Sequence, residues 1–185
     1  TILCRSDRVY EAIAKAEPEL TSKLATVGIK YTNTMPNADN PNSAQGRSWQ
    51  STLSVDSVDE AEQKLRSLGY SWTWQSDGSL SAQTKALPAI KSIADGRQVF
   101  FNQMIAAYKG WKGVKENPSV GLCFGDDSAI PKEFLDKACE IADHNSYDLM
   151  WQDGDVAIVD NHLAMHGRRP YSGERVRRVL VALGI

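Results

Sequence analysis

Cysteine, histidine and net charge are all scarce in this chain, and each shortage excludes something. Three cysteines, Cys4, Cys123 and Cys139, are spread through 185 residues with no C-x-x-C pair. An odd, scattered set makes neither a disulfide framework nor a thiolate zinc site, and it fits a reducing compartment. With 21 Lys and Arg against 23 Asp and Glu, the formal charge is -2. There is no basic field to hold a nucleic acid, so small molecules are the expected partners. No apolar run approaches the roughly 20 residues that span a bilayer, and no charged segment followed by an apolar stretch opens the chain. The expectation is therefore a soluble, cytoplasmic protein without a membrane partner. The histidines are His144, His162 and His166, followed two residues later by Ser146, Ala164 and Arg168. A His-x-Asp or His-x-Glu metal pair is thus absent, as are internal repeats and long low-complexity tracts.

What is present reads as one globular domain, with 42% hydrophobic residues to build a core. Thr1 leads at once into Ile2-Leu3-Cys4 and a helix, which reads as a start in mid-domain. Ser6 or Asp7 can cap that helix, with Val9, Ala12, Ile13 and Ala16 on one face and an end before Pro18. A short turn of helix follows at Glu19 to Leu24. Met35 to Arg47 is rich in Pro, Asn, Gly and Ser, and predicts a loop of the kind that often serves as a lid. Ser57-Val58-Asp59-Glu60 is a capping box for a helix ending at Gly69. Tyr70 to Gln75, the Asp77-Gly78 turn and the residues from Ser79 predict a hairpin. Arg97 to Asn102 reads as a buried strand before a helix around Met104 to Tyr108, and Pro131 opens another helix ending near Asn145. Val156 to Val159 and Val176 to Leu183 read as short strands.

Between those last two strands lies the most specific pattern. From Trp151 the chain runs W-x-x-G-D-V-x-x-x-D-N-x-x-x-x-H-G-R-R-P-Y-x-G, then Arg177-Arg178 and an apolar stretch. This ordered set resembles the C-terminal end of the taurine dioxygenase and clavaminate synthase family of iron(II)- and 2-oxoglutarate-dependent oxygenases. Gly46 to Gln50, Trp72-Thr73-Trp74 with Asp77 to Leu80, and Phe100 to Gln103 extend the resemblance over nearly all of residues 1–185, which reads as the C-terminal part of a single such domain.

The resemblance implies a mixed α/β fold with mainly antiparallel sheet, a partial double-stranded β-helix (jelly roll) flanked by helices. It implies Fe(II) as cofactor and 2-oxoglutarate as cosubstrate. His166 matches the distal iron ligand of the family, just beyond a strand, where a neutral imidazole suits iron(II). Arg178, with Arg177 as fallback, matches the arginine that grips the cosubstrate carboxylate, a task fitted to a planar, permanently charged guanidinium. Adjacent strand residues face opposite ways, so only one of the two enters the site. Thr1 resembles the threonine that helps bind the same carboxylate. Phe101 and Asn102 are candidates to line a substrate pocket, although buried aromatics are more often core. His162, in a variable position of the pattern, is structural or pocket-lining, and Asp160 and Asn161 shape the turn that aims His166.

Two of the three ligands of the facial triad are missing from the pattern. The first reading is therefore an oxygenase that hydroxylates, desaturates or cyclises a small molecule, an amino acid or a carrier-bound one, with its site completed by an N-terminal complement in cis or as a second chain. The chain alone would be inactive. The alternative is a non-catalytic ligand-binding or interaction domain that kept the fold. Ala182 stands where taurine dioxygenase has its sulfonate-gripping arginine, which argues against taurine. A half-barrel would also expose strand edges and apolar faces, so stable folding is expected only with the complement.

Overall fold

The computed structural model describes residues 1–40, 46–168, 180 and 182. Among these, the fold is a mixed α/β arrangement whose six strand pairings are all antiparallel. The chain opens with strand β1 (Ile2–Arg5), helix α1 (Ser6–Ala16), helix α2 (Pro18–Val27) and strand β2 (Ile29–Met35). Helices α3 (Trp49–Leu53) and α4 (Val58–Leu68) follow, then strands β3 (Ser71–Trp74), β4 (Leu80–Gln83), β5 (Ile90–Ser92) and β6 (Gln98–Phe100). Helix α5 (Met104–Gly110), strand β7 (Leu122–Phe124), helix α6 (Lys132–His144) and strands β8 (Ser146–Asp148) and β9 (Ala164–Gly167) complete it.

The strands form sheets ordered β8-β1-β9, β3-β4-β2-β7 and β5-β6. Helix α1 is built as its spacing predicts, with Val9 and Ile13 fully inward. They join Phe134, Leu135 and Ala138 of α6, Met104 and Tyr108 of α5, and Ile29, Leu122 and Phe124 of the larger sheet in the main core. A smaller core holds Met35, Trp49, Leu53, Ala61, Leu65 and Leu80, where α3 and α4 pack on the β3-β4 hairpin. Burial of such side chains contributes on the order of 2 kcal/mol each, which outweighs the modest intrinsic propensity of these short elements.

Several boundaries differ from expectation. Neither Ser6 nor Asp7 caps α1: the N-cap is Arg5, without a side-chain cap bond. Both side chains are used elsewhere, as described below. Helix α2 is longer than the expected turn because Pro18 at its first position is pre-set for helix and Gly28 ends it with a φ of 75°. Val156 to Val159 does not form a strand. Val156 and Ile158 are 89% and 98% exposed, and among the described residues this segment of strand-like composition has no strand beside it. The second expected strand, Val176 to Leu183, lies outside the described residues except for Leu180 and Ala182.

Candidate functional site

The three-stranded sheet β8-β1-β9 sorts its side chains onto two faces. Leu3 stands opposite His166 on β9 and opposite Tyr147 on β8. Directly opposed residues of antiparallel strands share a face, and successive residues alternate. Cys4 and Met165 therefore point the other way, where both join the main core against α6. Cys4 donates its thiol to the Ala142 carbonyl at 3.5 Å.

Thr1 continues the alternation, because Leu149 N donates to the Thr1 carbonyl at 2.7 Å and so extends the β1-β8 ladder by one residue. Its side chain thus lies on the face of Leu3 and His166. There Trp151 Nε1 donates to Thr1 Oγ1 at 2.8 Å. The structure brings together two of the residues singled out in sequence, Thr1 and His166, on adjacent strands and one sheet face. His166 sits within β9, not just beyond a strand as expected, because pairing with β1 carries the strand through Gly167. The imidazole is exposed.

Contacts around α1 hold this arrangement. Asp160 builds the turn before β9: its carboxylate accepts from His162 N at 2.8 Å and its carbonyl accepts from Ala164 N at 2.9 Å. Ser6 Oγ donates to the His162 carbonyl at 3.0 Å, and Ser6 N donates to the Leu163 carbonyl at 2.8 Å. The hydroxyl expected to cap α1 instead pins the turn that leads to His166. Asp7, 3% exposed, receives Arg5 at 2.5 Å, Arg97 at 2.6 Å and Arg8 N at 2.9 Å. The Arg5 hydrogen bond, followed by that of Arg97, lowers its carboxyl to about 2 despite burial. This cluster ties the β1-α1 corner to the β5-β6 hairpin.

That hairpin leads to the second part of the site. Phe101, just after β6, stacks on His162 with ring centroids 5.3 Å apart and an interplanar angle of 20°. Lys91 Nζ lies 3.9 Å from the centroid of the same ring. Phe101 and Asn102 line a cavity of about 540 Å³ that extends over Tyr31, Tyr70 and Trp111. Asn102 lines it with a committed amide: Nδ2 donates to the Ala89 carbonyl at 3.0 Å and Oδ1 accepts from Met104 N at 2.9 Å. It closes the turn that leads into α5 and shapes the wall. Tyr31 Oη accepts from Gln103 N at 2.8 Å, and burial pushes its phenol up, so it stays neutral.

Arg177 and Arg178 lie outside the described residues. Among the described residues, no group of three or more His, Cys, Asp or Glu side chains could hold a metal ion. His166 supplies one donor of the kind iron(II) takes, and the described residues do not complete a site around it.

Comparison with known proteins now decides the lineage. The model of the taurine catabolism dioxygenase TauD, TfdA family matches residues 1–183. The chain belongs to this family. It is 34% identical to a clavaminate synthase-like protein of Arabidopsis thaliana over 184 residues, 99% of this chain and 55% of that protein. It is 24% identical to the dapdiamide synthesis protein DdaC of Enterobacter agglomerans over 190 residues, 97% of this chain and 55% of that one. The chain thus spans about half the length of these curated relatives. Trp151 and Lys91 are the site residues that sequence reasoning left without a role; the motif contained Trp151, but only the fold places its indole on Thr1.

Proposed function

We propose that these residues form the C-terminal part of an iron(II)- and 2-oxoglutarate-dependent oxygenase acting on a small molecule, with the architecture of a partial jelly roll. The observation that carries this is the placement of Thr1 and His166 on one face of the β8-β1-β9 sheet. Bound iron and 2-oxoglutarate would supply the oxidising chemistry. His166 would be one iron ligand, Thr1 Oγ1 would donate to the cosubstrate carboxylate, and Arg178, or else Arg177, would pair with it. Trp151 holds the Thr1 hydroxyl oxygen and leaves its proton free for such a carboxylate. The remaining ligands would come from the part of the domain that the relatives have and these residues do not span. That part would also cover the exposed face and exclude water from the reacting centre.

The test is succinate formation from 2-oxoglutarate by the native polypeptide that contains these residues, supplied with Fe(II). Iron binding with succinate release, both lost in His166→Ala, is the expected result. Native polypeptide that neither binds iron nor releases succinate would instead mark a non-catalytic domain that kept the fold.

A further inference from the structure

The cavity beside Phe101 has an uneven lining. Its walls are largely aromatic and aliphatic, including Tyr31, Met35, Leu65, Tyr70, Phe101 and Trp111. At about 540 Å³ it falls in the range that takes a small organic molecule. One lining residue, Lys91, carries a full charge, and among the described residues its ammonium has no acidic partner. Other lysines here are used differently: Lys30, Lys109, Lys115 and Lys132 each pair with an aspartate within 3 Å. Lys91 instead is a half-buried residue whose ammonium rests on the face of Phe101, which fixes the position of the charge. A cation held against an aromatic face at an apolar cavity is a strong partner for an anion.

We propose that this cavity binds a small molecule with an apolar or aromatic body and a carboxylate, the carboxylate pairing with Lys91. The apolar body would lie against Tyr31, Tyr70 and Trp111. Phe101 couples the site to the sheet face described above, because the ring that carries Lys91 also stacks on His162, four residues before His166. The inference rests on the oxygenase reading only in calling this ligand the substrate; the binding itself does not depend on iron or 2-oxoglutarate.

Isothermal titration of the native polypeptide that contains these residues, without iron or 2-oxoglutarate, would compare three probes of one shape: 3-phenylpropanoate, neutral 3-phenylpropanamide and cationic 3-phenylpropylamine. The carboxylate should bind about tenfold or more tightly than the amide, the size expected of a charge-assisted bond, and the amine weakest. Lys91→Met should bring carboxylate and amide to equal affinity, and Lys91→Glu should reverse the order in favour of the amine. Both variants should keep the thermal unfolding of the parent, since the Lys91 ammonium makes no hydrogen bond to a described residue and its backbone pairing in β5 is unaffected. Equal binding of all three probes, or a carboxylate preference that survives in Lys91→Met, would overturn the proposal. So would displacement of 3-phenylpropanoate by 2-oxoglutarate at matched affinity, which would make the cavity a cosubstrate site. Carboxylate binding by native polypeptide that releases no succinate when supplied with Fe(II) and 2-oxoglutarate would remove the oxygenase reading and leave this one standing.

Discussion

At the scale of single residues, the site depends on side chains whose local alternatives were given up. Ser6, the first residue of α1, is a good capping residue by type yet donates to the His162 carbonyl. Asp7 is buried among arginines, and its charge is favoured by them. A carboxyl lowered from its ordinary value of 3.8 to about 2 contributes stability that is fully present above the ordinary value and is lost as pH falls through about 2. That contribution is about 2 kcal/mol at neutral pH. Asp7→Asn should therefore lower the urea midpoint at pH 6 and flatten the acid dependence between pH 4 and pH 2 by the share this carboxyl carries beside Asp126 and Asp136; an unchanged acid profile would mean that Asp7 does not titrate there. Thr1→Val addresses function instead. It keeps the shape and deletes one donor to the proposed cosubstrate, so the KM for 2-oxoglutarate should rise about tenfold or more with kcat little changed. A fall in kcat alone would place Thr1 elsewhere in the reaction.

At the scale of elements, legibility followed how local the determinant was. Helix α4 was readable because its signals are contiguous: Ser57 Oγ accepts from Glu60 N at 3.3 Å, and Gly69 takes the left-handed conformation at φ 71°. Ser57→Ala should cost about 1 kcal/mol by thermal denaturation, the usual loss for a cap. The β3-β4 hairpin was readable for the same reason, with Gly78 at φ 79° in its turn. Strands β1, β8 and β9 were not readable, because each is three or four residues long and exists only through pairing with segments far away in sequence. His166 and Thr1 could be named by their resemblance to a family pattern, but their shared face follows from a register that no local pattern encodes. Lys91 stayed hidden for another reason: it is an unremarkable lysine until the β5-β6 hairpin brings Phe101 beneath it. Gly28 illustrates such long-range constraint: a Cβ there would come within 2.3 Å of the Leu87 carbonyl oxygen, and its φ is 75°. Gly28→Ala should thus destabilise by more than the roughly 1 kcal/mol of a simple left-handed penalty. A loss below that would mean that the Leu87 segment moves aside freely.

At the scale of the whole molecule, the exposed apolar residues are concentrated near one place. Tyr147, Met150, Val156 and Ile158 are 57%, 80%, 89% and 98% exposed, all in the stretch between α6 and β9 that flanks the Thr1 and His166 face. Scattered exposed hydrophobics need no explanation, but a run of them beside a candidate site marks a surface meant to be covered. The chain spans 55% of the length of the Arabidopsis relative. On the reading proposed above, the rest of the domain packs here, and the amides of residues 156–159 gain a strand partner that the described residues do not give them. In the native polypeptide, Ile158→Ser should then cost about 2 kcal/mol, the value of burying one such side chain. Val58→Ser serves as the control: Val58 is 46% exposed at the start of α4, and its change should stay within about 0.5 kcal/mol. Hydrogen exchange supplies an independent readout, with slow exchange expected at residues 156–159 in the native polypeptide. Fast exchange there, together with an Ile158→Ser cost no larger than that of the control, would show that this face stays open in solution. His166 would then stand on an open surface with no site closed around it.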